Sequence, residues 1–355
     1  MPETLDIPSD PSQETRVTAA GLRDLMIKLY VRQGMFQAEA EIAADRQIEA
    51  DLRGIHSHGS RATPRYLAAM DRGDIDPRGA TLTVRQTAAA AVLDGGRNLG
   101  HVASTKAMRM AIEMARQVGT GTVAVRNSQH YGAASVYSLM AAREGMIGYC
   151  TTSTGGATVA AFGSRAPATA NNAFAWAAPA RQGHPFCLDM ACAVSSWGKV
   201  QSLGMYGESI PAGWALDGAG NPTTEAQSAK TLLPAAGARG YGLAFLCSIL
   251  AGPLVGGKLP LHKTRSADVE GSEHFFYAID VQQFVEPDRF HDELERTIEE
   301  IRHLAPAEGF DQVRLPGELE GERAARWAQE GIPLHRDHLR DLAEAAAQRK
   351  IAVPW

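Results

Sequence analysis

The stretch Asp51-Leu52-Arg53-Gly54-Ile55-His56-Ser57-His58-Gly59 decides how this chain is read. It sets two imidazoles and a hydroxyl among glycines, directly after an alanine-rich run with helical spacing. Glycine lets a backbone approach a ligand closely, and histidine exchanges a proton near neutral pH. Two later segments share this character: Asn127-Ser128-Gln129-His130-Tyr131-Gly132 and Cys187-Leu188-Asp189-Met190-Ala191. Brought to one pocket, the three would supply His58, His130, the Ser57 hydroxyl and the Asp189 carboxylate.

Around these segments the periodicity alternates between strand and helix. Thr18 reads as an N-cap for a helix over 18–33 that ends at Gly34. A second helix spans 37–52, and Pro64 starts a third that runs to Met70. Strands are expected at 81–87, 90–94, 120–126, 146–152, 173–178, 185–190 and 274–280. Helices are expected at 101–117, 133–143, 243–250, 287–304, 321–330 and 336–348, with a helix or irregular segment at 194–206. Residues up to Arg16 read as a loose tail. Strand, polar loop, helix and strand in succession is the grammar of an α/β sheet, where ligands sit at strand ends.

At 355 residues the chain can bury a sizeable core. A formal charge of −5 argues against a nucleic-acid binder, which would carry a basic face. Its four cysteines, Cys150, Cys187, Cys192 and Cys247, lie in apolar segments without a C-x-x-C pair. They read as reduced, buried side chains of a cytoplasmic protein. No signal peptide is evident, and the apolar run 243–255, broken by Gly252 and Pro253, reads as too short to span a bilayer.

No P-loop occurs. Gly119-Thr120-Gly121-Thr122-Val123-Ala124 matches a relaxed dinucleotide pattern but starts a strand instead of opening a helix, so it is not read as a nucleotide loop. His56-x-His58 lacks a nearby third metal ligand, and no metal is expected; His335 and His338 read as solvated residues of a charged helix. Ser57, His58 and Asp189 have the residue types of a hydrolase triad, but no G-x-S-x-G elbow exposes the serine. A His–Asp pair orienting a proton donor suits the sequence better. Arg61, Arg65 and Tyr66 follow His58 within two helical turns, and arginine grips carboxylates in a fork. Arg239, just before the helix expected at 243–250, suits a phosphate or ribose.

Taken together, the chain resembles the malate/L-lactate dehydrogenase family that lacks a Rossmann fold. Relatives in that family include ureidoglycolate, sulfolactate and diketogulonate oxidoreductases and Δ1-piperideine-2-carboxylate reductase. The matching stretches are DLRGIHSHG (51–59), PRYL (64–67), VRNSQHYGAA (125–134), NNAFAWAAP (171–179), FCLDMA (186–191), GKV (198–200), ARGYGLA (238–244) and LPGELE (315–320). Their order and spacing carry the match over residues 18–342.

The resemblance implies an α/β fold with a mixed-sheet, non-Rossmann dinucleotide-binding domain and a smaller helical domain built from both chain ends. On this sequence the expected divisions are 1–80, 81–130, 131–305 and 306–355, the last returning to the first. It implies an NAD or NADP cofactor met by His130, Tyr131, Gly132, Ala133, Thr152, Thr154, Leu188, Asp189, Met190, Ala238, Arg239, Gly240, Pro316, Gly317 and Glu318. Proton transfer falls to His58, supported by Ser57 and Asp189, or to His130. A homodimer with its site near the subunit interface is implied as well. The family usually has arginine four residues after the histidine of SHG; here Ala62 stands there and Arg61 precedes it. Many members also carry lysine at the position of Arg239 and proline at that of Ala173.

The expected function is therefore an NAD(P)-dependent oxidoreductase that moves a hydride at C2 of a small 2-hydroxy or 2-oxo acid. Arg61 or Arg65, with Tyr66, would hold the carboxylate. Three alternatives stay open: a reductase of a cyclic 2-imino acid, a metal- or serine-dependent hydrolase or lyase at His56, Ser57 and His58, and a non-catalytic dinucleotide-binding dimer.

Overall fold

The computed structural model describes residues 9–264 and 267–355. Its helices are α1 (Ala19–Arg32), α2 (Gln37–Leu52), α3 (Thr63–Asp71), α4 (Gly100–Val118), α5 (Ser135–Ala142) and α6 (Trp197–Met205). After them come α7 (Ala238–Leu250), α8 (Ala267–Glu270), α9 (Pro287–Arg302), α10 (Glu318–Glu330) and α11 (Arg336–Gln348). The first strands are β1 (Glu14–Val17), β2 (Leu82–Gln86), β3 (Ala90–Asp94), β4 (Thr120–Ser128), β5 (Met146–Thr154), β6 (Val159–Ala160) and β7 (Pro167–Thr169). The rest are β8 (Ala173–Ala178), β9 (Phe186–Ala191), β10 (Ala215–Leu216), β11 (Pro222–Thr223), β12 (Thr231–Leu232), β13 (Ser272–Asp280) and β14 (Ile332–His335).

One mixed sheet runs in the order β2-β3-β4-β13-β5-β8-β9. All its pairings are antiparallel except β3 with β4. Helices α4 and α5 cover one face, burying Met108, Ile112, Val123, Val136 and Phe276 in a common core. Helix α7 covers part of the other, where Ala244 and Cys247 meet Tyr149 and Phe174. A small sheet, β11-β10-β12-β6-β7, packs with Val200 and Leu203 of α6. A separate core joins both chain ends: Leu22, Leu25 and Tyr30 of α1 and Tyr66 of α3 pack with Trp327 of α10 and Leu342 of α11.

The beginning of the chain corrects the sequence reading. Part of the expected loose tail, residues 1–8, lies outside the described residues, but Glu14–Val17 is a strand paired antiparallel with β14, Val17 opposite Ile332. Val17 is buried there. The partner strand is over 300 positions away in sequence, so no local pattern announces the pairing. Helix α1 begins as expected, with the Thr18 side chain accepting from the Gly21 N–H.

Gly119 closes α4 in the left-handed conformation (φ 88°) and hands the chain to β4. This helix-to-strand order is the reverse of a phosphate turn, so the glycine pattern is a helix stop. Helix α7 starts at Ala238, five residues earlier than expected, which puts Arg239 in its first turn. By length and composition alone the window 238–255 could cross a membrane. Its helix, however, ends at Leu250 and packs one side on the sheet. The four cysteines are free and buried.

Candidate active site

The SHG turn is held from below by Asp51, the buried residue that ends α2's inner face. Its carboxylate accepts from the Ser60 N–H (2.8 Å) and contacts His56 Nδ1 (3.0 Å). A Cβ on Gly59 would lie 2.2 Å from Asp51 Oδ1, so only glycine lets the turn close over the carboxylate. Gln47 Nε2 donates to the Gly59 carbonyl (2.8 Å), and His338 Nε2 contacts Ser60 Oγ (3.0 Å). His56 stacks on Trp327 at 5.6 Å. Thus His56 braces the turn. His335 and His338, expected to be solvated, are 5% and 2% exposed. His338 packs against the turn, and His335, the last residue of β14, caps α11 and packs edge-on to Tyr206.

Above this base, Ser57 Oγ contacts His58 Nδ1 at 2.8 Å. Tyr66, on α3, places its hydroxyl 2.6 Å from His130 Nδ1. The two imidazole centroids are 5.4 Å apart. The Gly132 N–H also points at His130 Nδ1 (3.3 Å), and a backbone amide can only donate. Nδ1 is therefore the unprotonated nitrogen of a neutral His130, its proton sits on Nε2, and the Tyr66 hydroxyl donates. Gly132 itself has φ 80°, and a Cβ there would strike His101 Nε2 at 2.5 Å.

Both imidazoles are half-buried in the cleft wall and largely desolvated, which disfavours their charged forms. Burial, and then the Arg65 and Arg61 charges, depress the His58 pKa to about 4. His130 is pushed well below its ordinary value by burial first and by Arg65 second. At neutral pH the pair is uncharged.

The two arginines part company. Arg61 donates to Ser202 Oγ (2.9 Å) and to the Gly198 carbonyl (3.1 Å), fastening the SHG turn to α6. Arg65 is exposed, lies over the Tyr66 ring at 5.1 Å and borders the same cleft as His58 and His130. Tyr66, expected to share the carboxylate contact, is fully buried with its hydroxyl on His130. Asp189 does not bond His58. It accepts from the Ser135 N–H (2.8 Å) at the start of α5, where an anion is favoured, while burial raises its carboxyl pKa. No hydrolase triad is assembled, and among the described residues no group of three His, Cys, Asp or Glu side chains stands as a metal site.

These groups open on a cleft of about 890 Å³. Of the residues expected to meet a cofactor, His130, Gly132, Ala133, Leu188, Asp189, Met190, Pro316 and Gly317 line it. Tyr131 does not: it is fully buried and stacked on His274 at 4.8 Å. Thr152 is turned to His274 Nδ1 (2.8 Å), and Glu318 is paired with Arg302. Ala238, Arg239 and Gly240 lie outside the cleft wall, and Thr154 ends β5. Sequence reasoning missed Arg53, Gly155, Gly156, Gln201 and Arg314, which also line the cleft. Arg53 was legible as a charge inside the 51–59 segment; the others sit in loops or on α6 without a local signature.

The chain as a whole is similar to known dehydrogenases. A family model described as malate/L-lactate dehydrogenase matches residues 17–343. Malate dehydrogenase of Pyrococcus abyssi is 35% identical over 95% of each chain. Ureidoglycolate dehydrogenase (NAD(+)) of Escherichia coli K12 is 31% identical over 91% of this chain and 93% of its own. The structure of malate dehydrogenase from Pyrococcus horikoshii OT3 superposes with a TM-score of 0.88 at 31% identity, covering 98% of this chain and 99% of the other. This whole-chain similarity makes the protein an oxidoreductase: the chain is a member of the malate/L-lactate dehydrogenase family.

Proposed function

We propose that this protein interconverts a small 2-hydroxy acid and its 2-oxo acid with NAD or NADP. The observation that carries the reading is the pair of neutral imidazoles 5.4 Å apart on a cleft that also holds Arg65. The cleft fits a nicotinamide dinucleotide: Gly132, Gly155, Gly156 and Gly317 offer close backbone approach, and its volume suits a large ligand. Lining residues from β9 and the Pro316-Gly317 turn would hold it. When bound, the cofactor supplies or takes the hydride at C2.

The chain's own residues do the rest. Arg65 grips the carboxylate next to the reacting carbon. The protonated Nε2 of His130 donates a hydrogen bond to the oxygen on C2. With Ser57 Oγ accepting from Nδ1, His58 presents an unprotonated Nε2 that takes the hydroxyl proton in oxidation and returns it in reduction. Ser57 fixes that tautomer, and Asp189 anchors β9 to α5. Fixing donor and acceptor in line is what such a site contributes to rate.

A homodimer is part of this proposal. Leu243, Phe245, Leu246 and Ile249 form an exposed apolar face on α7, the kind of surface a second copy covers.

The test is oxidation of NADH and NADPH with pyruvate, oxaloacetate, phenylpyruvate, the oxidised form of ureidoglycolate and Δ1-piperideine-2-carboxylate. Turnover of at least one straight-chain 2-oxo acid is expected. Turnover of the cyclic imine alone would reassign the substrate, and none with any compound would defeat the proposal.

A further inference from the structure

We propose, building on the 2-hydroxy acid reading, that the buried guanidinium of Arg53 seats a second acidic group of the substrate and makes the enzyme prefer diacids to monoacids. Arg53 is 7% exposed, yet its Nε has no partner, and the side chain makes no hydrogen bond or ion pair among the described residues. Burial raises the Asp189 carboxyl pKa and the Arg53 charge lowers it, yet the two form no ion pair. A buried guanidinium with no hydrogen-bonded counter-charge is costly, and arginine cannot escape by losing its proton. Such a charge is explained by an anion that arrives from outside.

The surroundings say where the anion goes. Arg53 borders both the cleft and a smaller chamber of about 320 Å³, which shares Ser57 and Gly198 with the cleft wall. The chamber faces Arg53, Arg61, Lys199 and Arg323 against two carboxylates, Asp189 and Glu320. Arg61 is bonded only to neutral groups, and Lys199 lies over the Trp214 ring at 5.5 Å, so neither charge is cancelled by those contacts. His56, His335 and His338 complete the wall. The space admits a short acidic arm and is too small for a dinucleotide. Arg65 borders the cleft beside His58 and His130 and does not reach the chamber, whereas Arg53 borders both. Arg65 therefore belongs to the reacting carboxylate and Arg53 to the far end of the substrate.

The experiment compares wild type with Arg53→Met and Arg53→Lys. The first readout is the ratio of kcat/KM for malate to that for lactate. Arg53→Met should lower this ratio roughly 10- to 100-fold, through KM more than kcat, since hydrogen bonds to charged groups are worth that much. Arg53→Lys should keep part of the preference. The second readout is stability without ligand: replacing an unpaired buried charge by a similar apolar volume should leave Tm unchanged or raised. The third uses malonate as a probe, which should stabilise wild type in a thermal shift but not Arg53→Met. This arm needs no turnover, so it judges Arg53 even if the 2-hydroxy acid reading fails. An unchanged ratio in both variants, a Tm lowered by several degrees in Arg53→Met, or malonate stabilisation that persists in Arg53→Met would each overturn the proposal. So would loss of NADH stabilisation with the malonate shift retained, which would assign the anion to the cofactor.

Discussion

Two neutral imidazoles 5.4 Å apart are not interchangeable here, because their partners differ. His130 receives hydrogen bonds at Nδ1 from Tyr66 and Gly132, which leaves it a donor at Nε2. Tyr66→Phe removes one of these bonds and frees the ring to change tautomer. It should lower kcat by about 10-fold, the worth of roughly one hydrogen bond, while KM for the carboxylate stays near wild type. A rise in KM alone would return Tyr66 to the carboxylate. In the proposed mechanism His58 is the base in oxidation, and its pKa is depressed to about 4 by burial and by Arg65 and Arg61. A base must be unprotonated, so kcat/KM for the hydroxy acid should hold as pH falls through 6.5 and fail only towards 4. An acid limb at 6.5 in the pH profile would show an imidazole of ordinary pKa. At this scale the sequence was generous with chemistry and poor in direction. His58, His130, Ser57 and Asp189 were legible as reactive types near glycines. That Asp189 turns to Ser135 and Arg61 to α6 depends on tertiary neighbours that no local spacing encodes.

Helix α6 is the element that braces the site. A Cβ on Gly198 would fall 2.3 Å from both Cβ and Oγ of Ser57. Gly198→Ala must push the serine or the helix away, an overpacking cost of about 1–3 kcal/mol. Both Tm and kcat should drop, and Ser57→Gly added to Gly198→Ala should recover Tm but not kcat. If the single variant is as stable and active as wild type, α6 does not set the position of Ser57. Most elements were legible because their patterns are local. The α2 and α11 bounds follow from apolar spacing, and the β8 bounds follow from a short apolar run between turn residues. Strand β1 was missed because its pairing partner is β14, and the start of α7 was missed because its first turn is glycine-rich.

Across the whole molecule five histidines have depressed pKa values, with desolvation the leading cause for each: His58 to about 4, His101 and His274 to about 3, and His130 and His338 well down. In the unfolded chain each would titrate near about 6.5. Below that pH the unfolded state binds more protons, so stability falls as pH falls. Asp189 and Glu273, raised chiefly by burial, act in the opposite sense but are fewer. Tm should be level above about pH 7 and decline steadily from 6.5 towards 4. A level Tm through that window would show that these imidazoles titrate normally in the fold. The family resemblance was legible over nearly the whole chain because it rests on eight ordered segments rather than on one motif. The central claim is hydride transfer between a nicotinamide and C2 of a small acid. It is tested most directly with NADH and NADPH deuterated at C4, on each face in turn, incubated with the 2-oxo acid the enzyme accepts. The account predicts that, for one face, the deuterium appears on C2 of the hydroxy acid product by mass spectrometry. Product that carries no deuterium at C2 from either face of either cofactor would contradict it.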